Sequence, residues 1–267
     1  MPEKPITFRV TLPLLAIALL SICLVVFIRP YLQYQGIIQD VSAWGAFFTV
    51  FGVIYAIVAG FLLVTVLTRY SALGQVIEDE LNAVESVRDF LVYFGPGQHS
   101  TLQSLRSALR EYTIAVATVE WQQMADPRLS TNSDTSKELY AIMACTGSIK
   151  VDGRRDTSVL SAVIACVEDL AKLRTRRISL SNERLPIRLR LLLILMSLAL
   201  TLGIYAVGVE SLVVHAFMAS TLSVSIYLLY WIIEDLDHPF YGVWNIDRSP
   251  MDELIKAFEV DGNREQS

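Results

Sequence analysis

Charge is what this sequence has too little of. Of its 267 residues, 18% are charged, against about 25% in an average soluble domain. Hydrophobic residues make up 53%, and mean hydropathy is +0.46. Cysteine is scarce as well: Cys23, Cys145 and Cys166 lie far apart with no C-x-x-C or Cys/His spacing, which excludes a disulfide framework and a zinc site. The net charge of −5 excludes nucleic acid as a general partner. There is no Walker A loop, no G-x-G-x-x-G after a strand, no H-E-x-x-H and no G-x-S-x-G. His99, His215 and His238 share no metal spacing. No catalytic residue, metal or cofactor is therefore assigned, and the chain does not read as an enzyme. Strand-like alternation is missing too, which makes the expected fold all-α.

The missing charge is concentrated in four runs. Val10–Ile28, Trp44–Thr68, Leu191–Val209 and Ser211–Ile233 contain no Asp, Glu, Lys or Arg, and each is close to the roughly 20 residues that cross a bilayer as a helix. A core helix of a soluble protein rarely stays apolar on every face, so four such runs predict a polytopic membrane protein. The first run is long for a signal peptide and leads into Arg29-Pro30 with no A-x-A site at its end, so it is read as a retained span. Lys4 and Arg9 precede the first span, Arg69 follows the second, and Arg174, Arg176, Arg177, Arg184, Arg188 and Arg190 approach the third. The positive-inside rule then places both termini and the long middle segment in the cytoplasm. Tyr31, Tyr34 and Trp44 at one edge, and Tyr227, Tyr230 and Trp231 at the other, suit aromatic belts.

The expected organisation is a transmembrane hairpin over 1–69, a cytoplasmic helical region over 70–190, a second transmembrane hairpin over 191–233 and a cytoplasmic tail over 234–267. Leu73, Val76, Ile77, Leu81, Val84, Val87 and Leu91 recur at helical spacing with no breaker before Gly95-Pro96-Gly97, so span two is predicted to continue as one long helix. Its charged residues Glu78, Asp79, Glu80, Glu85, Arg88 and Asp89 read as a solvated face, with a cation-attracting vestibule as the other reading. A second helix is predicted from Thr101 to Asp126-Pro127, a polar loop over 130–134, a short helix around Glu138–Cys145 and a turn at Asp152-Gly153. A last helix through Leu160, Val163, Val167, Leu170 and Leu173 ends before Leu185-Pro186, where Pro186 marks a bend or a first helical turn.

Inside the spans, Gly52, Ala56 and Gly60 form a small-xxx-small row that admits close helix packing. Val53, Ile57 and Phe61 form a parallel row of bulkier side chains, which packs against lipid or protein or faces a different environment. His215 is a titratable group within a span; it is either functional or a neutral ring bonded to a neighbouring helix. Ser220, Thr221, Ser223 and Ser225 are expected to serve helix packing.

The run Ile57-Val58-Ala59-Gly60-Phe61-Leu62-Leu63-Val64-Thr65-Val66-Leu67-Thr68-Arg69-Tyr70 resembles the second transmembrane helix of bestrophin channels. Glu234-Asp235-Leu236-Asp237-His238-Pro239-Phe240-Tyr241-Gly242 is similar to the acidic and Pro-Phe-Gly segment after their last span. A closer resemblance is to the bacterial bestrophin-like family of unknown function, through Tyr112, Glu120-Trp121, Arg177, Arg184, Leu185-Pro186, Asp237, Pro239, Phe240 and Gly242. The resemblance spans about residue 44 to residue 260. It implies a homopentameric ion channel in the inner membrane, with lipid and inorganic ions as partners. Carried residue by residue, it puts Val53, Ile57 and Phe61 on the apolar neck positions, where a constriction can gate by dewetting. Two departures stand out: only one aromatic occupies the neck, and Tyr70-Ser71 replaces paired tryptophans. Asp235 and Asp237 fall where animal bestrophins hold calcium, but two or three carboxylates fall short of the six or more oxygens calcium takes. The other reading is a membrane scaffold or signalling accessory that docks partners on its cytoplasmic helices.

Overall fold

The computed structural model describes residues 6–35, 41–95, 98–125, 136–151, 153–207 and 209–264. Lys4, Pro96-Gly97, Asp126-Pro127, the polar run 130–134 and Asp152 lie outside the described residues, as do the side chains of Arg9, Arg29, Tyr31 and Tyr34. Among the described residues every regular element is helical: α1 (Ile6–Gln35), α2 (Val41–Phe90), α3 (His99–Ala115), α4 (Trp121–Ala125), α5 (Ser136–Gly147), α6 (Arg154–Asn182), α7 (Ile187–Ala206), α8 (Leu212–Leu236) and α9 (Ser249–Arg264). Four helical stretches, Thr11–Ile28, Ser42–Tyr93, Arg154–Ala206 and Leu212–Leu236, are long and apolar enough to cross a membrane, and the four charge-free runs overlap them. Span two does continue: α2 holds 50 residues without a break. Pro186 neither bends a helix nor enters its first turn. It sits at the N-cap of α7 with ψ 132°, where its fixed φ is tolerated and no helical N–H is needed.

Contacts divide the chain into two units. The first comprises Met1–Thr68 and Arg184–Asp237. One small cluster of its interior is Val25, Tyr205 and Ala219, flanked by Leu24, Ile204 and Ala216. Leucines such as Leu15, Leu19, Leu195 and Leu202 point outward. That inversion suits hydrocarbon, because lipid tails are as apolar as leucine and only packing and hydrogen bonds reward an inward position. The Ser21 and Tyr205 hydroxyls lie 2.5 Å apart, and Ser223 Oγ is 3.4 Å from Tyr205 Oη. His215 is buried, with Nε2 2.9 Å from the Ile204 carbonyl of α7, so it acts as an interhelical hydrogen bond. Of the span-four hydroxyl residues Ser223 is buried within the subunit and Ser220 half-buried, while Thr221 and Ser225 are exposed. Gly203 has a specific reason to be glycine, since a Cβ there would stand 1.7 Å from Phe48 Cζ.

The second unit comprises Arg69–Glu183 and His238–Ser267 and has an ordinary apolar core. Leu73, Ile77, Val84 and Val87 of α2, and Leu91 just after it, pack there with Leu105 and Leu109 of α3, Ile142 of α5, and Val163, Val167 and Leu170 of α6. The helix expected from Thr101 is interrupted by a π turn over Val116–Glu120 between α3 and α4. The predicted tail contains a helix, α9, whose Met251, Leu254 and Phe258 enter the same core. Arg110–Glu259 pairs on its polar side at 3.1 Å, and the Arg88 guanidinium lies 5.9 Å from the centroid of the core-facing Phe258 ring.

Candidate functional site

Two arrangements carry functional weight, one in each unit. In the first unit it is the uncovered side of α2. Tyr55, Ala59, Leu62 and Val66 recur every three or four residues and are buried, and the Ser197 hydroxyl of α7 donates to Tyr55 Oη at 3.3 Å. On the opposite side, about 180° away at about 100° per residue, Val53, Ile57 and Phe61 are 55%, 67% and 66% exposed. Between these two faces lies the small-residue row. Ala56 and Gly60 are exposed, Gly52 is half-exposed, and a Cβ built on either glycine would touch nothing within 4 Å. Among the described residues, neither row is buried by the subunit's own packing.

In the second unit the arrangement is a buried cluster of charges. Arg177 has no accessible surface, and Glu80 and Glu120 are each 2% exposed. Arg177 Nε donates to Glu80 Oε2 at 2.6 Å and Nη2 to Glu80 Oε1 at 3.1 Å, while Nη2 also donates to Glu120 Oε2 and Nη1 reaches Met124 Sδ at 3.3 Å. Arg174 Nη2 holds the other Glu120 oxygen at 2.6 Å, and the Tyr112 hydroxyl donates to Glu80 Oε1 at 2.5 Å. Two guanidinium groups face two carboxylates, so the cluster is neutral and every carboxylate oxygen is engaged. Burying isolated charges would cost several kcal/mol per ion; pairing and hydrogen bonding are what permit it here.

Local sequence explains how these groups meet. Leu73, Ile77, Glu80, Val84, Val87 and Leu91 are one helical row, so Glu80 occupies a position where an apolar residue would be expected. The reading of Glu80 as part of a solvated face is therefore corrected, whereas Glu78, Asp79, Glu85 and Asp89 are exposed. Arg177 likewise continues the row Val163, Val167, Leu170. Tyr112, Val116, Glu120 and Met124 are spaced by four, which in an α-helix drifts by about 40° per step. The π turn widens the helix, and all four side chains stay buried. Burial, and next the Glu80 charge, raise the Tyr112 hydroxyl well above its ordinary pKa. Burial alone would lower the Arg177 guanidinium, but Glu80 and Glu120 outweigh it and hold it above the usual arginine range.

The remaining motif residues hold local structure. Trp121 packs edge-on against Phe240, with centroids 5.1 Å apart. Pro239 and Phe240 are buried, the Pro239 carbonyl accepts from Ile246 N–H at 2.8 Å, and Gly242 turns the chain with φ 144°, which favours glycine. In the first unit Asp237 is buried and its carboxylate accepts the Leu185 N–H at 2.9 Å and Arg190 Nη2 at 2.9 Å. The residues 183–186 are not helical, so this N–H has no partner in a helical turn. Asp237 supplies one. Arg184, just before it, is half-buried. The family resemblance brought out Tyr112, Glu120 and Arg177 as motif residues but not Glu80 or Arg174 as their partners; a carboxylate interrupting an apolar row was the available signal.

An all-α, multi-pass membrane protein with a charge-locked helical unit is the class this fold defines. The model of the bestrophin-like domain matches residues 14–251, and the chain belongs to that family. Solved structures of a bacterial bestrophin homologue from Klebsiella pneumoniae share the fold. One is 17% identical with a TM-score of 0.75, covering 94% of this chain and 99% of that one. Another is 18% identical with a TM-score of 0.73, covering 92% and 94%. Among curated proteins none matches the sequence.

Replacing Arg177 by Met leaves two buried carboxylates facing each other and is expected to lower stability by about 3–5 kcal/mol, read as chemical unfolding of the purified protein in detergent. Lys at this position should not restore it, because one ammonium cannot span both carboxylates as a guanidinium does. The raised Tyr112 pKa makes a second prediction. The native state holds its proton where the unfolded chain, near pH 10, releases it. Stability is thus fully present below about pH 10 and falls as pH climbs through the native value. Tyr112→Phe should flatten that alkaline decline by one proton, about 1.4 kcal/mol per pH unit at most, while costing a hydrogen bond at neutral pH.

Proposed function

We propose that this protein is a passive ion channel whose apolar neck is formed by α2, with Val53, Ile57 and Phe61 facing an axis shared by five copies of the chain. The observation that carries the reading is the exposure of this row on the side of α2 opposite its buried face. The subunit's own helices leave that side uncovered, and family membership supports the assignment. A ring of valine, isoleucine and phenylalanine binds no ion tightly and can close by expelling water. Gly52, Ala56 and Gly60 then serve contacts between neighbouring subunits, for which small residues allow close backbone approach. The arginine-rich approach to α7 supports an orientation with both termini on the cytoplasmic side of the inner membrane. Conduction needs no catalytic group, which agrees with a non-enzymatic role.

The ion preference follows from the charges on the later stretch of α2. Glu78, Asp79 and Glu85 are exposed, whereas Glu80 is consumed by Arg177 and Arg69 is engaged by Glu183, with Nη1 3.3 Å from its carbonyl. The accessible charge there is acidic and attracts cations.

Purified protein in liposomes is expected to pass small ions, and Ile57→Ala or Phe61→Ala to raise conductance severalfold. Absence of flux at every pH and calcium level, or a stable monomer by mass measurement in detergent, would overturn the reading. Under a KCl gradient the reversal potential should lie on the potassium side and move towards zero in a Glu78→Gln, Glu85→Gln double variant; a chloride-selective potential sinks the cation assignment.

A further inference from the structure

Within the first unit, α1, α7 and α8 line an open groove of about 460 Å³. Its volume falls in the range of small-molecule sites, about 300–1,000 Å³. Ile17, Ile194, Leu198 and Ile226 form its walls, and all four belong to stretches apolar enough to cross a membrane. The groove runs along the helices: on α7 its lining extends from Ile194 to Thr201, about 10 Å of helical rise, and on α8 from Ser223 to Tyr230.

The hydroxyls that line it are nearly all spent. Thr201 Oγ1 donates to the Ser197 carbonyl at 2.8 Å, Ser197 Oγ donates to Tyr55, Ser223 belongs to the cluster with Tyr205, and Tyr230 bonds Glu234. Among the described residues only Tyr227 lining the groove makes no side-chain hydrogen bond. A buried water needs two to four polar partners, and one hydroxyl cannot hold a file of them. The occupant that fits is hydrocarbon. One helical turn beyond the lining, Arg190 on α7 and Glu234 on α8 approach to 3.4 Å, so the groove ends at a polar, charged boundary. An open apolar groove of this length, with one free phenol and a charged end, matches an amphiphile in chemistry and in polarity order.

We infer that the groove binds one acyl chain of a bilayer phospholipid, with the Tyr227 hydroxyl donating to its ester carbonyl and the headgroup at the Arg190–Glu234 end. The site is separate from the neck row on α2. Binding is read without any measurement of conduction, so it stands or falls independently of the channel reading.

The test uses the full-length protein in nanodiscs containing a phosphatidylglycerol with a diazirine midway along one acyl chain. After irradiation, mass spectrometry of the peptides is expected to place the label mainly on 194–201 and 223–230. Ile194→Trp, which fills the groove, should reduce that label at least tenfold. Leu195→Trp, on the exposed neighbouring face (Leu195 is 55% exposed), should leave it unchanged and controls for folding. Tyr227→Phe should reduce the label severalfold without moving it. Even labelling along all exposed positions of α7 and α8, or label that persists in Ile194→Trp, overturns the proposal. So does a Leu198→Cys variant that links efficiently to a second copy, because another subunit would then occupy the groove.

Discussion

Hydrocarbon offers no partner to a backbone N–H or to a charge, and this chain is arranged around that constraint. Its apolar stretches are continuous helices, which satisfy their own backbones, and their charged residues are collected at the ends or removed to the other unit. Where a backbone group does fall outside a helix near a span, it is provided for. The Leu185 N–H just before Pro186 is taken by the buried Asp237, whose own charge is matched by Arg190. The motif aspartate after the last span is thereby a structural anchor for the start of α7, and its oxygens are already engaged.

In the second unit the same concern about unpaired charge appears in a protein core. Arg177 joins Glu80 of α2 and Glu120 at the end of the π turn, while Arg174 and Tyr112 complete the coordination. Replacing such a cluster with well-packed apolar residues is often neutral or stabilising, so its value lies in fixing one arrangement: a guanidinium with fixed donor directions accepts few alternatives. The π turn is part of that device, since it keeps Tyr112, Glu120 and Met124 on one side of the helix.

The two faces of α2 in the first unit show how packing and openness share one helix. Tyr55, Ala59, Leu62 and Val66 are covered within the subunit, while the small-residue row and the Val53, Ile57, Phe61 row are not. In water such exposure would be a liability. In a bilayer it costs little, and this leaves the face available for contacts with other copies of the chain.

Composition and periodicity by themselves determined the all-helical class, the four spans and the continuation of α2, because hydropathy and the 3.6-residue repeat are local properties. They also showed Val53, Ile57 and Phe61 as a row, and ordered motifs pointed to the family. Periodicity did not reveal α9, although Met251, Leu254 and Phe258 carry the repeat, because the short helix lies among charged residues and acquires its meaning only in the core it completes. It could not tell that Glu80 is buried while Glu78 and Asp79 are solvated, since that depends on a guanidinium 97 positions away in the chain. Nor could it show that Gly203 makes room for the Phe48 ring, or that Asp237 serves the Leu185 N–H. Pairing of charges and close approach are properties of distance in space, and only the tertiary structure decides them.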